Sequence, residues 1–479
     1  MSSKTPHHSR RAFLRAGATG LAAASYPANA PAFLHLRNHR QDVIRVGIVG
    51  AGRRGQDHLW AMGYWDPNGP VRARKSKQQP HNRLEGVEVV AVCDTWDENR
   101  RIGLESVTKQ GSPCAEYIDY RQMLENENLD AVLIATPDHM HQPISMAAID
   151  AGCDVYVEKC MTNSVSEALA LVAKLEKSDR ILQAGFQHHQ DHIFGLARNA
   201  IANGEIGKVH MVQTFMNRAG ESGAWTFPQE KHGGPPRESI HWEAFLGGVA
   251  PDVEYTPQRY FGWRKFWDYS TGIAGDLFSH NLNAVNHLTG LGLPSSVSAS
   301  GGIYYWKDGR ETPDTYSCLM EFPDDDVSLT YQCILSNSYN GHMTRIMGED
   351  GTIEVDWRLR IYADRFSKRY AEALQKGEIR ADQPMVDVTD SAGGMVVNAA
   401  PSQLWLGGMG ATLTTRADGE VRDTTRLHHE NFWACVRSRK QPDANYKMAF
   451  PATIGAHMGT LSYREGRRVG WDAKKRAVI

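Results

Sequence analysis

The sequence has almost no excess charge of either sign, and this absence excludes a first class of function. Its 479 residues include 53 Lys and Arg against 55 Asp and Glu, which gives a net charge of -2. A protein body that binds nucleic acid through the phosphates carries a clear basic excess. We therefore expect no nucleic-acid partner.

Long hydrophobic runs and paired cysteines are also missing. No apolar run reaches the length of about 18 residues that a membrane helix needs, so we expect no membrane association. The seven cysteines form no C-x-x-C pair and no even framework, which argues against a disulfide scaffold or a zinc ribbon. With 41% hydrophobic residues, the chain still has enough apolar mass for the cores of two or three domains.

The first thirty residues have the three ordered parts of an export signal. Arg10 and Arg11 form a twin-arginine pattern, a short run of small apolar residues follows at 16–24, and an A-x-A cleavage site ends at Ala30. We interpret residues 1–30 as a removed twin-arginine signal, which predicts a periplasmic or otherwise exported protein. The alternative is a basic, disordered N-terminus that contains two arginines by chance.

A glycine-rich loop follows the first apolar, β-branched run at 43–49 and precedes a stretch compatible with a helix. In this order the first glycine allows a tight turn, the second lets the backbone approach a pyrophosphate, and the third lets helix and strand pack closely. A purely structural glycine turn is the alternative interpretation. The pattern predicts cofactor-binding residues at Gly50, Gly52, Arg53, Arg54 and Gly55.

The residue that ends the second apolar run, 87–93, indicates which dinucleotide binds. Asp94 can hold both ribose hydroxyls and repels a 2′-phosphate, so we expect NAD rather than NADP. Asp94 follows Gly55 by 39 positions, more than the usual spacing of about 20. A polar insertion at 63–85 explains the excess. Arg100 and Arg101 keep NADP open as the less favoured cofactor.

Two further strand patterns, 130–135 and 154–157, alternate with a helical pattern and so predict a parallel, doubly wound sheet. Ligands bind beyond the carboxyl ends of such strands. We therefore expect the residues that follow these two strands to face the cofactor crevice: Thr136, Pro137, His141, Glu158 and Lys159.

These segments together resemble the Gfo/Idh/MocA (glucose-fructose oxidoreductase / inositol dehydrogenase) family of oxidoreductases. The matching segments are GIVGAGRRG ending at Gly55, VVAVCD at Asp94, ATPDHMH at His141, Glu158-Lys159 and GDLFSH at His280. A segment at 349–353 also fits, and the resemblance spans roughly residues 42–360 plus a C-terminal piece.

The resemblance implies an α/β fold in two domains. A Rossmann domain with a doubly wound parallel sheet is expected at 42–162, and an α/β domain with an open, mainly antiparallel sheet at 163–479. The second domain would bind the substrate, a sugar, polyol or glycoside, and mediate assembly into a homo-oligomer through its open sheet. The family requires no metal.

The resemblance also implies catalytic roles for Lys159, Asp276 and His280. The residues themselves are compatible with these roles, because 275–288 reads as a helix that places Asp276 and His280 on one face. An acid beside an imidazole can fix its tautomer, and Lys159 could relay the proton of an oxidised hydroxyl. The alternatives are a structural histidine and a surface lysine.

Two positions depart from the family pattern. Cys160 stands where the family usually has proline, so either a cis peptide bond is retained or Lys159 points differently. Asn283 stands where the family often has aspartate, which removes one potential base; we count Asn283 among the substrate contacts.

Polar and aromatic residues of the second half predict the substrate pocket. The histidine-rich stretch 187–192 invites a metal interpretation, but without a matching acid we expect polar contacts instead, led by Gln187. Eleven of the 45 residues at 225–269 are aromatic, and aromatic faces suit carbohydrate rings. Most of them belong to a core in our interpretation; Trp263 and Arg264 are the expected pocket residues.

Taken together, the sequence predicts an exported, NAD-dependent oxidoreductase that acts on a sugar or polyol. Outside the cytoplasm there is no useful supply of free dinucleotide, so we expect a tightly bound cofactor that is regenerated within each cycle. An NAD-dependent glycoside hydrolase, which uses transient oxidation and elimination, is one alternative. A non-catalytic sugar or dinucleotide sensor is the other.

Overall fold

The first half of the protein forms a parallel sheet whose carboxyl edge carries the glycine-rich loop. The computed structural model describes residues 43–75, 78, 80–356, 358–389, 414–417 and 420–479. The strands of this sheet are β1 (Ile44–Val49), β2 (Val87–Cys93), β3 (Ala115–Tyr117), β4 (Ala131–Ile134), β5 (Asp154–Val157) and β6 (Leu182–Ala184). All pairings are parallel in the order β3-β2-β1-β4-β5-β6. The order reverses between β1 and β4, which places a ligand crevice at their carboxyl ends.

Helices cover both faces of this sheet, and for that reason its central strands are apolar almost throughout. They are α1 (Arg53–Ala61), α2 (Pro70–Arg74), α3 (Asp97–Thr108), α4 (Tyr120–Asn126), α5 (His141–Asp150) and α6 (Val165–Leu175). Ser164 caps α6 by accepting a hydrogen bond from the Glu167 amide, and the Glu167 carboxylate accepts one from the Asn163 amide.

The parallel sheet extends further along the chain than the expected boundary at residue 162. Strand β6 pairs with β5, so the sheet ends at Ala184. A helix from the C-terminal end of the chain, α13 (Thr424–Ser438), also joins this domain. Its Phe432 and Trp433 share a core with Val46 and Ile48 of β1. The sequence carries no local signal for either contact, because β6 has only three residues and α13 is distant in sequence.

The second domain is built on a ten-stranded sheet. Its strands are β7 (Val209–Met216), β8 (Ser296–Gly302), β9 (Thr315–Phe322), β10 (Val327–Ile334), β11 (His342–Gly348), β12 (Gly351–Val355), β13 (Arg358–Ala363), β14 (Val386–Thr389), β17 (Val469–Asp472) and β18 (Ala477–Val478). They lie in the order β14-β13-β12-β11-β7-β10-β9-β8-β17-β18. Only the β7–β10 pairing is parallel among these described strands, so the expected α/β fold with a mainly antiparallel second sheet is confirmed.

Further described elements are helices, most of them short, and one small hairpin. The helices are α7 (His192–Ala202), α8 (Pro228–Lys231), α9 (Trp242–Leu246), α10 (Pro257–Phe261), α11 (Ser279–Thr289), α12 (Ala371–Lys376) and α14 (Tyr446–Glu465). Strands β15 (Thr414–Ala417) and β16 (Glu420–Asp423) form the hairpin. A π-helical turn, Ala274–Phe278, leads directly into α11.

One face of the ten-stranded sheet packs against helices, and the other faces away from them. On β9 the buried residues Tyr316, Cys318 and Met320 alternate with the more exposed Ser317 and Leu319. Helices α11 and α14 cover the buried face. No helix within the described part of the chain is long and apolar enough to cross a membrane. The expected signal at 1–30 lies outside the described residues.

The fold predicts that α13 is needed for the stability of the dinucleotide domain. Phe432→Ala removes a fully buried ring from the core shared with β1, and we expect it to lower the free energy of unfolding by about 3–5 kcal/mol. Phe366 is 85% exposed, so the control Phe366→Ala should change stability by less than about 0.5 kcal/mol. Urea denaturation measures both, and equal stabilities would contradict the packing described.

Candidate active site

A cavity of about 870 Å³ is lined by residues at the carboxyl edge of the parallel sheet and by residues of the second domain. This volume is in the range of small-molecule and cofactor sites. Residues predicted from both halves of the sequence line it. From the first domain these are Gly50, Gly52, Arg53, Arg54, Asp94, Thr136, Pro137, Glu158 and Lys159; from the second they are Gln187, Trp263, Arg264, Asp276 and His280.

The glycine-rich loop is shaped by contacts that leave no room for side chains at two of its glycines. Gly50 has a φ of 89°, and a Cβ there would lie 2.6 Å from the Ala135 backbone. At Gly55 a Cβ would lie 2.0 Å from the Gly50 carbonyl oxygen, so this glycine lets α1 pack against the turn. At Gly52 the nearest atom would be 3.4 Å away. Gly52 lines the cavity, so its backbone is accessible to a ligand.

Asp94 lies at the end of β2, beside this loop, with both carboxylate oxygens held by backbone amides. Oδ2 accepts from the Ala51 amide at 2.7 Å, and Oδ1 accepts from the Trp96 amide at 2.8 Å. Burial raises the Asp94 pKa to about 6. The carboxylate is thus fixed where a Rossmann domain holds the ribose of its dinucleotide.

Of two predicted residues after β4, Thr136 lines the cavity and His141 makes hydrogen bonds away from the cavity lining. Thr136 lines the cavity, and its buried hydroxyl has no hydrogen-bond partner within the described residues. His141, expected at the cofactor, is not among the lining residues. Its Nδ1 lies 2.6 Å from the Cys160 carbonyl oxygen and its Nε2 lies 2.9 Å from that of Thr136. His141 therefore connects the two loops, while Thr136 and Gly52, which both line the cavity, fit a bound dinucleotide.

Glu158 is the centre of a buried polar cluster under the glycine-rich loop. Its Oε1 accepts hydrogen bonds from Arg54 Nε at 2.9 Å, His58 Nε2 at 2.9 Å and Gln187 Nε2 at 3.1 Å. Burial opposes its ionisation, but the Arg54 charge and the His58 hydrogen bond hold the pKa of Glu158 well below its ordinary value. The second ring nitrogen of His58 lies 2.9 Å from His429 Nε2. Neither histidine was predicted, since α1 and α13 meet only in the folded chain.

Two cations from different domains converge on the Asp276 carboxylate. Lys159 Nζ donates to Oδ1 at 2.7 Å and to the Asp276 carbonyl oxygen at 2.8 Å. Arg264 Nε donates to Oδ1 at 3.0 Å, and its guanidinium lies over the Trp263 ring at 4.1 Å. Burial opposes ionisation, but these two charges hold the Asp276 pKa far below its usual range. The Lys159–Cys160 peptide bond is cis.

His280 lines the same end of the cavity but is not oriented by Asp276 as the helical spacing predicts. Within the described residues its ring makes an edge contact with Phe186 and no hydrogen bond, since Asp276 is engaged by Lys159 and Arg264. Burial, aided by the Lys159 charge, lowers the pKa of His280 to about 3. The imidazole is therefore neutral near neutral pH.

Two further titratable residues reach this end of the cavity without any sequence signal. His342 begins β11, and burial lowers its pKa to about 4. Asp356 follows β12; burial raises its pKa to about 6, and its Oδ1 accepts from the Arg358 amide at 2.8 Å. Both line the cavity because the central strands of the second sheet end there. Isolated residues on strands carry no motif, so only the folded sheet reveals them.

Asn283 is the predicted substrate residue that the structure does not place on the cavity. It is fully buried, its Oδ1 lies 2.8 Å from His189 Nε2, and its Nδ2 donates to the Met448 carbonyl oxygen at 2.9 Å. Its side chain thus holds α11 to neighbouring segments. Within the described residues, no group of three or more His, Cys, Asp or Glu is arranged to hold a metal ion.

Comparisons with known proteins agree with this geometry. The family model described as the oxidoreductase family with an NAD-binding Rossmann fold matches residues 44–186. The model of the same family's C-terminal α/β domain matches residues 252–470. The chain belongs to the Gfo/Idh/MocA oxidoreductase family. Its N-terminal domain is accordingly an NAD-binding Rossmann domain.

Individual relatives match only part of the chain. Inositol 2-dehydrogenase of Salmonella typhimurium is 28% identical over 170 residues, 35% of this chain and 44% of the relative. A glycosyl hydrolase family 109 protein of Shewanella pealeana is 25% identical over 213 residues, 42% of each protein. The matched stretch thus spans less than half the length of these relatives.

Solved structures share the fold over most of the chain. The WlbA dehydrogenase of Bordetella pertussis, solved with NADH and UDP-GlcNAcA, has a TM-score of 0.57 at 18% identity and covers 90% of this chain and 99% of its own. A levoglucosan dehydrogenase solved with NADH has a TM-score of 0.61 at 15% identity, with coverages of 89% and 98%. At these identities the likeness establishes the common architecture.

The buried histidines predict that acid destabilises the protein. Burial lowers the pKa of His139 to about 4, whereas a histidine in the unfolded chain takes up its proton at about pH 6.5. The unfolded state therefore binds more protons as the pH falls from about 6.5 to 4, and stability present at higher pH is lost. We expect each such histidine to lower the free energy of unfolding by about 2 kcal/mol at about pH 5. Urea denaturation across this pH range measures the loss.

A matched pair of variants assigns the effect. His139 Nε2 lies 2.8 Å from the Phe245 carbonyl oxygen, and His139→Gln keeps a donor for that oxygen but cannot titrate. It should make the loss of stability on acidification shallower by about 2 kcal/mol. His192→Gln, at an exposed histidine, controls for the substitution itself. A His139→Gln profile parallel to the wild type would contradict the assignment.

Proposed function

We propose that this protein is an exported NAD-dependent oxidoreductase that acts on a sugar or polyol and retains its cofactor through the catalytic cycle. The observation that carries the proposal is the meeting of Lys159, Asp276 and His280 in the cavity that continues from the NAD crevice. A cation, a fixed carboxylate and a neutral imidazole are the groups that oxidation of a carbinol requires.

The chemistry divides between the cofactor and the protein. When bound, NAD accepts a hydride from a carbinol carbon. His280 is neutral because its pKa is lowered to about 3 by burial, and it can accept the hydroxyl proton. Lys159, held in its ion pair with Asp276, can donate a hydrogen bond to the same oxygen as negative charge develops there. Such general acid–base assistance typically contributes about 10²- to 10⁴-fold in rate.

Arg264 and Trp263 supply the expected contacts to the carbohydrate. The Asp276 salt bridge and the Trp263 ring fix the guanidinium in one orientation. A planar guanidinium held in this way can direct its remaining N–H groups at vicinal hydroxyls. Trp263 can present its ring to an apolar C–H face of the sugar. Both residues line the cavity near Lys159.

Retention of NAD follows from the expected location. The twin-arginine pattern at 10–11 supports transport of a folded protein to the periplasm, where free dinucleotide is scarce. An enzyme that released its reduced cofactor there would turn over once. A second carbonyl substrate, reduced at the same site, would regenerate NAD.

A glycoside hydrolase that oxidises its substrate transiently is the second candidate. Asp356 favours it, because elimination needs an additional group that exchanges protons near neutral pH. Burial raises the pKa of this cavity residue to about 6. The similarity to the glycosyl hydrolase family 109 protein of Shewanella pealeana is compatible with this chemistry.

The purified, full-length protein should contain bound NAD. We expect about one NAD per chain after gel filtration, and turnover of a sugar or glycoside panel without added dinucleotide. Acid extraction followed by mass spectrometry measures the cofactor. An oxidised sugar favours the oxidoreductase, a released aglycone favours the hydrolase, and saturable sugar binding without turnover favours the sensor. A protein that binds no pyridine nucleotide would contradict the proposal.

Substitutions at the two proton-handling residues should reduce turnover without releasing NAD. We expect Lys159→Met and His280→Asn each to lower kcat by about 10²- to 10⁴-fold, since each removes a group that assists proton movement. NAD content, measured on the same preparations, should stay near the wild-type value. Lys474→Met, at an exposed lysine, is the matched control. Wild-type kcat in both site variants would rule out these roles.

A further inference from the structure

Most of the aromatic residues at 225–269 cluster beside the Asp94 end of the crevice, where Thr95 and Trp96 contact them. They form a separate core of seven buried residues, Ile240, Trp242, Phe245, Leu246, Tyr260, Phe266 and Tyr269. Trp96 of the Rossmann domain and Phe261 pack against this core. We call residues 240–261 the aromatic cap. About half of the aromatic cap falls within residues 187–251, which lie between the two regions that the family models match.

The cap is joined to the Rossmann domain directly after Asp94. The His241 amide donates to the Thr95 carbonyl oxygen at 2.8 Å, and Trp96 forms a β-bridge with Ile240. The Thr95 hydroxyl and the Tyr260 hydroxyl share a hydrogen bond of 3.1 Å. The chain segment that follows the ribose-binding aspartate is therefore covered by the second domain.

Three further contacts hold the cap along the carboxyl edge of the sheet. His241 Nε2 lies 2.8 Å from Asp97 Oδ1 at the start of α3. Arg121 Nη2, in α4, donates to the Gly247 carbonyl oxygen at 3.0 Å. His139, which follows β4, contacts the Phe245 carbonyl oxygen. These anchors follow strands β2, β3 and β4, so the cap extends from the Asp94 side of the crevice to the loop after β4.

Several rings of the cap face the cavity beside Asp94. Phe245, Tyr260 and Phe261 line it together with Trp96, and the Trp96 and Phe261 rings meet edge to face with centroids 5.2 Å apart. Adenine is a flat aromatic ring, and such rings bind proteins by stacking on aromatic side chains. The chemistry of this wall thus suits the adenosine half of the dinucleotide.

We propose that the aromatic cap forms the outer wall of the adenosine pocket and controls how fast NAD leaves. Release of adenosine past this wall requires the Thr95–Tyr260 and Thr95–His241 hydrogen bonds to break and apolar ring surface to become exposed. The inference rests on NAD binding in the crevice, and it does not depend on which carbohydrate reacts. It supplies a physical basis for the retained cofactor proposed above.

Exchange of bound NAD for labelled NAD tests the cap in the intact protein. Phe261→Ala should accelerate exchange by about 10- to 100-fold, the range expected for loss of one stacking ring. Tyr260→Phe keeps the ring and removes one hydrogen bond, so it should accelerate exchange by only about 5-fold. Tyr305→Ala removes a ring that is 63% exposed and lies outside the cavity lining. This control should exchange NAD at the wild-type rate.

The two halves of the cofactor separate the cap from a general loss of structure. ADP and nicotinamide mononucleotide are each titrated against labelled NAD. In Phe261→Ala we expect ADP to bind about 10- to 100-fold more weakly, and nicotinamide mononucleotide to bind as in the wild type. Equal weakening of both ligands, or wild-type exchange in Phe261→Ala and Tyr260→Phe, would overturn the inference.

The outcome for the cap is distinguishable from that for the proposed function. If the wild type binds ADP and NAD but exchanges NAD rapidly, both the captive cofactor and the control of release by the cap are refuted. If the wild type retains NAD yet turns over no carbohydrate, only the proposed activity fails. If Phe261→Ala does not fold, as judged by thermal melting, Tyr260→Phe gives the decisive exchange rate.

Discussion

The candidate site depends on the two ion pairs that the Asp276 carboxylate makes with Lys159 and Arg264. Lys159 lies just after strand β5 of the Rossmann domain, whereas Asp276 and Arg264 belong to the second domain. Removing one partner from such a buried set leaves an uncompensated charge, which typically costs about 3–5 kcal/mol. The same contact that joins the domains therefore holds the ammonium group at the cavity. Structural and chemical roles cannot be separated at this carboxylate.

Nearby charges and burial also set the protonation states of other groups that line the cavity. The Lys159 charge and burial keep His280 neutral, and Arg54 keeps Glu158 ionised beneath the glycine-rich loop. Both pKa values are lowered, and in both cases a nearby positive charge contributes, because a low-dielectric interior magnifies its effect. A neutral imidazole and an ionised carboxylate therefore coexist within one cavity near neutral pH. This arrangement suits proton transfer at one end and dinucleotide binding at the other.

The cofactor crevice is enclosed by parts of the chain that a Rossmann sheet alone does not contain. Helix α13 returns from the C-terminal region and places His429 against His58 of α1. The segment around Tyr260 covers the crevice beside Asp94, through its hydrogen bond to Thr95. Both additions bury surface that would otherwise face solvent. They also explain why division of the sequence at residue 162 separates elements that fold as one domain.

Local sequence determined the glycine-rich turn, the place of Asp94 after β2, and the places of Lys159, Asp276 and His280 in their loop and helix, because each depends on spacing within one strand, loop or helix. The alternation of strands and helices has the same local origin. Tertiary structure alone decided that Asp276 accepts hydrogen bonds from Lys159 and Arg264 rather than from His280. It also decided that Asn283 and His141 make hydrogen bonds away from the cavity lining. The folded sheet, finally, brings His342 and Asp356 to the cavity. Each of these depends on contacts between segments far apart in the chain, which burial and packing of the two sheets select and which no local pattern encodes.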